Sequence, residues 1–535
     1  MRRSPTTRIW VCALATVAGT LSMTLAGVSA SAGAGAAGSA GGPADWTVYH
    51  HDPAGTGVDS SGTRFDPARP AWTSPVLDGD LFGEPLVLGT TVYVATENDT
   101  VYALRAADGT VVWSTHLGTP VPASSLPCGD ITPMVGITGT PVIDAARAEL
   151  FAVADEEVAG RPSHVLVGLN LTSGVVELHQ VVDPPGVDTA ALLQRTALTL
   201  QGGRVVFGFG GNYGDCSSYH GWVEAVPETG GSATTFAIDG ATGQREGAVW
   251  MGGAAPVVDS SGNIWVAVGN GSEDTGSPYD NSDSVLELSP ALELLQFFAP
   301  ADWASDNAND FDLGSAAPAL LADGLVVQAG KSHTAYLLHQ AHLGGIGGQV
   351  AELPSVCGDD VSGGVAVVGD VVFLPCLTGV VALEASATPP GLERLWQATA
   401  GAQGPPIVAG GLVWSIGQDG TLYALDRTDG SVTQQFSLGA VANHFPTPAV
   451  GDGLLLAPSA DQVHAFAGQA ASTTTTTSSS TTSRPTNTAA PPTTAAPGAG
   501  HGSSTAWVAL AVVIVAVVVL GGWLAWRRRA RRGAS

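Results

Sequence analysis

Residues 85–118 read PLVLGTTVYVATENDTVYALRAADGTVVWSTHLG, and residues 406–439 read PIVAGGLVWSIGQDGTLYALDRTDGSVTQQFSLG. The two stretches align without a gap from opposite ends of the chain. Each runs through a short apolar strand, a turn at glycine, a second strand and a polar turn. Tyr-Ala-Leu, an Asp-Gly turn and a last strand ending at glycine follow. Short runs of apolar alternation punctuated by Gly, Asn and Asp are the pattern of an antiparallel meander. A four-stranded unit of about 40–50 residues has the period of a propeller blade.

The apolar residue of the third strand marks each copy: Ala103, Gly168, Ala225, Leu288, Tyr336, Ala382, Ala424 and Ala465. The last two spacings are 42 and 41 residues, whereas the first three are 65, 57 and 63. The early blades therefore carry inserted loops. The copy at 446–468 lacks a fourth strand, and residues 71–77 can supply it and close the ring. This predicts an all-β propeller of eight blades, with seven as the alternative, over residues 45–468.

Outside that region the chain changes character. Residues 1–8 carry Arg2, Arg3 and Arg8, an apolar run covers 9–26, and Ala30-Ser31-Ala32 fits a cleavage site. This reads as a secretory signal peptide over 1–32. Residues 469–505 are a Ser/Thr/Pro/Ala-rich stalk without side chains that could build a core. Residues 506–526 are apolar with Trp507, Trp523 and Trp526 near the edges, and 527–535 hold five arginines. That pattern predicts one transmembrane helix with a cytoplasmic tail and the propeller outside, on the cell membrane.

The chain has 20 Lys+Arg and 47 Asp+Glu, a net charge of −27. Three arginines lie in the first ten residues and five in the last nine. The middle keeps 12 basic groups against all 47 acids, a charge of −35. Nucleic acid is excluded as a partner, because phosphate binding needs clustered Lys and Arg. Beyond Cys12 in the leader, Cys128, Cys216, Cys357 and Cys376 remain, an even number that suggests two disulfides. Of the three possible pairings, Cys128–Cys216 and Cys357–Cys376 are favoured. No C-x-x-C or H-E-x-x-H spacing suggests zinc. His50 and His51 read as surface or edge residues.

The run from Ala103 to Gly118, Ala-Leu-x-x-x-Asp-Gly-x-x-x-Trp-x-x-x-x-Gly, resembles the tryptophan-docking signature of the pyrroloquinoline quinone (PQQ)-like propellers. Trp113 fits it, while Leu178 and Gln434 stand at matching places. The resemblance covers roughly residues 46–468. It implies either a dehydrogenase that uses PQQ and Ca²⁺ or a propeller that scaffolds other proteins without a cofactor.

Four segments resemble those around the quinone in the family enzymes. FGFGGNYGDCSSYHGWVEAV (207–226) puts Asn212 where the family has a calcium-binding Glu. IWVAVGNGS (264–272) offers Asn270 as a metal and cofactor ligand. FAPADWASDNANDFDLGS (298–315) resembles the loop with the catalytic Asp, for which Asp302 is the candidate and a further metal ligand. QAGKSHTAYL (328–337) presents Lys331, the only lysine of the chain, toward the quinone. The chemistry asks for hard oxygens on Ca²⁺, a carboxylate near the alcohol proton and a cation near developing negative charge. The family's adjacent cysteine pair is absent, and Trp250 lies a few residues before the expected place of the tryptophan under the quinone. The first expectation is a binding or scaffold module for an envelope protein or glycan. The alternative is a PQQ- and calcium-dependent dehydrogenase of an alcohol or sugar. An enzyme requires Asn270, Asp302 and Lys331 to converge.

Overall fold

The computed structural model describes residues 45–240, 245–272, 277–399, 401–442 and 445–469. Among these residues eight blade sheets follow one another around a ring, antiparallel except where Phe298–Ala299 of the fourth also pairs in parallel with Gly345–Ile346. In chain order, blade 1 spans residues 86–116, blade 2 142–181, blade 3 192–237, blade 4 257–299, blade 5 319–353, blade 6 366–397 and blade 7 407–437. Blade 8 joins Ala449–Gly451, Leu454–Ser459 and Gln462–Gln469 to Arg64–Thr73 from the N-terminal side. All eight residues used as sequence markers fall on third strands. The eight-bladed expectation holds, and the longer early spacings are inserted loops. Residues 117–141, for example, contain the hairpin of Val121–Pro122 with Met134–Val135.

Burial explains the strand composition. Second strands such as Ile264–Val268 and Leu325–Ala329 are buried at every position, so they read as continuous apolar runs. Fourth strands such as Val111–His116 and Val432–Ser437 alternate exposed and half-buried residues. They form the rim, with one face against the next blade and the other toward water.

Neighbouring blades are pinned by tryptophan. Trp72 donates its indole N–H to the Ala106 carbonyl at 2.7 Å, Trp113 to Leu171 at 3.0 Å and Trp396 to Arg427 at 3.0 Å. Each ring lies against the glycine of an Asp-Gly or Ser-Gly turn. A Cβ on Gly109 would stand 2.4 Å from the Trp72 ring, and one on Gly430 2.4 Å from Trp396. Both glycines also adopt a left-handed backbone, so an L side chain is unwelcome twice over. Two of these tryptophans were not recognised from the repeat, because Trp72 lies before the first copy and Trp396 follows a longer hairpin. Leu178 fills the same place over Gly230 in apolar form.

Trp72 sits on the strand that closes the ring, paired with Ala465. The expected closing segment, 71–77, is only the end of that contact. The ladder begins at Arg64, opposite Gln469, and continues past Thr73 through Ser74 N–H to Val463 O and Leu77 N–H to Asp461 O, both 2.9 Å. The residues before it thread the ring. Trp46 pairs with Val87, Val58 with Val408, and His50 Nδ1 meets the Val365 carbonyl at 3.0 Å. His50 is therefore not a surface residue: it is 1% exposed and stacked on Tyr49 with the rings 4° from parallel. Burial lowers its pKa to about 4 despite the Val365 carbonyl, which leaves the imidazole neutral.

Both favoured disulfides are present. Cys128–Cys216 closes a separation of 88 residues and Cys357–Cys376 one of 19. Loop-closure entropy makes the longer crosslink worth about 4–5 kcal/mol and the shorter about 3. Cys128→Ser with Cys216→Ser is therefore expected to lower the denaturation midpoint more than Cys357→Ser with Cys376→Ser. A larger loss from the shorter bridge, measured by urea unfolding, would contradict this ordering.

The membrane expectation is corrected. Among the described residues no helix is long and apolar enough to cross a membrane; the α-helix found there, Trp303–Asn309, has seven residues. The signal peptide (1–32), the stalk beyond Gln469, the apolar stretch 506–526 and the basic tail 527–535 lie outside the described residues. The described residues thus supply no transmembrane anchor, no membrane contact through a helix and no single-pass span.

Candidate functional site

Topology delivers the site residues to one face. Asn212 directly follows Arg204–Gly211, Asn270 comes just after Ile264–Val268, and Lys331 just after Leu325–Ala329. These are the second strands of blades 3, 4 and 5, which end on the same side of the ring. The loop 300–315, between blades 4 and 5, starts from the end of a fourth strand running the same way.

Asn270 and Lys331 meet at two carboxylates. Lys331 Nζ lies 2.9 Å from Asp310 Oδ1 and 2.5 Å from Asp312 Oδ2. Asn270 donates Nδ2–H to Asp310 Oδ1 at 2.8 Å and its backbone N–H to Asp312 Oδ1 at 2.7 Å. Gly269 permits the close approach of Asp312, since a Cβ there would stand 2.3 Å from Asp312 Oδ1. Burial disfavours the charge on Lys331, but Asp312 and then Asp310 outweigh it and raise the ammonium pKa above its ordinary value. The lysine is a permanent cation.

That cation faces an aromatic floor. Lys331 Nζ is 5.7 Å from the centroid of the Trp250 ring, and Trp250 is 6.0 Å from Phe445. The guanidinium of Arg195 lies 5.8 Å from the Phe445 ring and 5.9 Å from that of Phe82. Two rings, Trp250 and Phe445, thus lie between the two cations Lys331 and Arg195, and each cation–ring contact is within cation–π range. Arg195 is 9% exposed, and its Nη1 would be 2.3 Å from a Cβ on Gly253, so only glycine leaves it room. Burial lowers its pKa, while Glu97 is the foremost charge opposing that. Trp250 thus serves beside Lys331 although it precedes its expected place. Arg195 and Phe445 were missed, because no motif surrounds them and only the fold brings them here.

The other two candidates stand apart from this set. Asp302 begins the short helix Trp303–Asn309 without a side-chain capping bond. Its charge acts on Asp306, whose carboxyl is pushed to about 7 by burial and then by Asp302. Asn212 is buried beside the Cys128–Cys216 bridge and donates Nδ2–H to the Ala190 carbonyl at 2.9 Å. With Cys128, Gly129, Asp130, Leu193 and Tyr213 it lines a cleft of about 270 Å³.

Whether a calcium ion fits can be judged from the donors. Asn270 Oδ1 is buried without a hydrogen-bond partner, as an oxygen reserved for a cation would be. Asp310 is 72% exposed at its side chain and keeps a second oxygen beyond its bonds to Asn270 and Lys331. These two residues suit a hard cation; Asn212 and Asp302 do not share their hydrogen bonds.

Known proteins share this architecture. Quinohemoprotein alcohol dehydrogenase from Comamonas testosteroni matches with a TM-score of 0.58 at 15% identity, over 79% of this chain and 80% of that one. A europium-containing methanol dehydrogenase matches with 0.59 at 14%, over 79% and 98%. At such identities the likeness is one of fold. No curated protein matches in sequence. The family model described as outer membrane protein assembly factor BamB matches residues 58–280 and 319–527. These two segments make up most of the chain, which belongs to this family of PQQ-like propellers.

Proposed function

We propose that the chain is a quinone-dependent oxidoreductase acting outside the cytoplasm on an alcohol or a sugar hydroxyl, with PQQ and Ca²⁺ as its cofactors. The observation that carries this reading is the pair of rings Trp250 and Phe445 flanked by the cations Lys331 and Arg195. A planar polycarboxylate is the ligand class that uses both features, its ring on the aromatic faces and its charges on the two cations. Asn270 and Asp310 would hold the metal. Two disulfides support an oxidising compartment.

PQQ, when bound, would supply the two-electron oxidant for the carbinol carbon. The chain's own residues do the rest. Lys331 holds Asp310 and Asp312 in place and keeps positive charge beside the acceptor. Asp310, the more exposed carboxylate, takes the hydroxyl proton, the role first sought at Asp302. Trp250 and Phe445 set the plane of the ligand and keep water from its lower face.

Exposed apolar side chains favour a second reading, a scaffold for an envelope protein or glycan. Val111 and Val112 of blade 1 and Val175, Val176 and Val181 of blade 2 are 38–57% exposed on adjacent rims. Calorimetric titration with PQQ in the presence of Ca²⁺ separates the two. Micromolar or tighter binding at one site is expected; heat of dilution alone, with and without Ca²⁺, would leave the scaffold.

A further inference from the structure

Two residues beyond Lys331 begins a second group of ligating side chains, which the proposed chemistry does not use. One ring nitrogen of His333 and one carboxylate oxygen each of Asp359 and Asp360 lie within 4.8 Å of one another. His333 comes after the second strand of blade 5, Leu325–Ala329, and the two acids stand in the loop that leads to the first strand of blade 6, Ala366–Val368. His333 and Asp360 are half-buried, and Asp359 is exposed. His333 Nε2 is 3.6 Å from Asp360 Oδ1, too far for a hydrogen bond. It is the separation of two ligands on one ion, since donors about 2.0–2.2 Å from a zinc-sized centre stand about 3.0–3.5 Å apart. A small movement of the exposed Asp359 carboxylate brings the third donor into the same range.

The main chain holds both sides of this group in place. Val356 N–H donates to the His333 carbonyl at 2.9 Å, which ties the two loops together. The Cys357–Cys376 disulfide anchors the acidic loop two residues before Asp359. Leu377 N–H bonds the Asp360 carbonyl at 2.9 Å, and Val361 pairs with Cys376 directly after it. Ligand-bearing loops fixed in this way spare an incoming ion the entropy cost of ordering them. Charge favours a cation too. Lys331 acts on Asp360 but is itself paired with Asp310 and Asp312, so carboxylates outnumber cations here.

We infer that His333, Asp359 and Asp360 bind a divalent metal ion of the zinc class where blade 5 meets the loop into blade 6. The imidazole nitrogen sets this group apart from Asn270 and Asp310, which offer oxygen alone. Calcium takes oxygen ligands, whereas an imidazole joined by carboxylates suits Zn²⁺. Three protein ligands leave a fourth position to water, the pattern of a reactive zinc site and not of a closed structural one. The inference does not depend on the oxidoreductase reading, because neither PQQ nor Ca²⁺ takes part in it.

The test is calorimetric titration of the full chain with ZnCl₂, after stripping with chelator, without PQQ and with CaCl₂ in excess to fill oxygen-only sites. Binding of one Zn²⁺ per chain at micromolar or tighter affinity is expected. His333→Gln should weaken it by about tenfold or more. Co²⁺ in place of Zn²⁺ should give a visible absorption band that the same variant loses. Asn270→Ala and Asp310→Asn should bind zinc like the parent. So should His342→Gln, a control for the neighbouring pair His339 and His342. Asp359→Asn, a change at an exposed residue, is the second variant if His333→Gln does not fold, and should weaken zinc binding likewise. The inference is overturned by a parent chain that binds no zinc, or by parental affinity in both His333→Gln and Asp359→Asn. A loss in Asp310→Asn or His342→Gln as large as that in His333→Gln overturns it as well.

Discussion

Replacing Trp72 with alanine is expected to lower the stability of the propeller by about 3–5 kcal/mol, the cost of removing a large buried aromatic. The side chain is 9% exposed and rests on Gly109 of the next blade with its N–H on Ala106. Trp113 makes the same contacts one blade later but is only partly buried, and it joins blades already consecutive in the chain. Trp72 joins the two ends: the strand that carries it comes from before blade 1, and its partner Gln462–Gln469 closes blade 8. Losing it weakens the seam at which the ring can open. The midpoint of urea unfolding should therefore fall further for Trp72→Ala than for Trp113→Ala. Equal midpoints, or a Trp72→Ala chain as stable as one altered at the exposed Leu395, would mean that closure does not depend on this docking.

Lys331→Ala is expected to weaken PQQ binding by about 10- to 150-fold, as for loss of a charge-assisted hydrogen bond worth about 1.5–3 kcal/mol. The same change also leaves Asp312, 9% exposed at its side chain, without its cation. Stability should fall with it, because a charge left unpaired in a buried place is costly. The double variant Lys331→Ala with Asp312→Asn separates the two effects. It should regain stability and still fail to bind. If the double variant recovered PQQ affinity, Lys331 would act only by holding the loop. Arg195→Ala should weaken the same ligand through the other end of the aromatic row. An unaltered Kd in both single variants would remove the cations from the binding reading.

The blades were legible because a repeat announces itself. The 85–118 and 406–439 copies share turn chemistry at matching positions, and each strand marker lies where the third strand forms. The disulfides were legible for a related reason, since Cys357 and Cys376 flank a single strand pair. The site was read only in part. Asn270 and Lys331 follow second strands of consecutive blades, so local pattern places them on one face. Asp302 was preferred over Asp310 because it is followed by an aromatic residue. Asp310-Phe311-Asp312 carries the same signal one helix later, and only the turn after Asn309 decides which acids reach Lys331. Arg195 and Phe445 have no local signature: their ring and cation partners are 113 to 250 residues away in sequence, and the propeller ring brings them together. His50 illustrates the opposite error. Beside charged and polar neighbours it looked superficial, but the segment that carries it runs through the middle of the ring.

The most direct measurement is alcohol-dependent reduction of an artificial electron acceptor by protein loaded with PQQ and Ca²⁺, beside Asp310→Asn prepared in the same way. Turnover on at least one alcohol or sugar is expected, falling by about 10²–10⁴-fold when the base is lost. No dye reduction above the PQQ-free control across primary alcohols, secondary alcohols and sugars would contradict the oxidoreductase reading, and equal turnover in Asp310→Asn would contradict the assignment of its base.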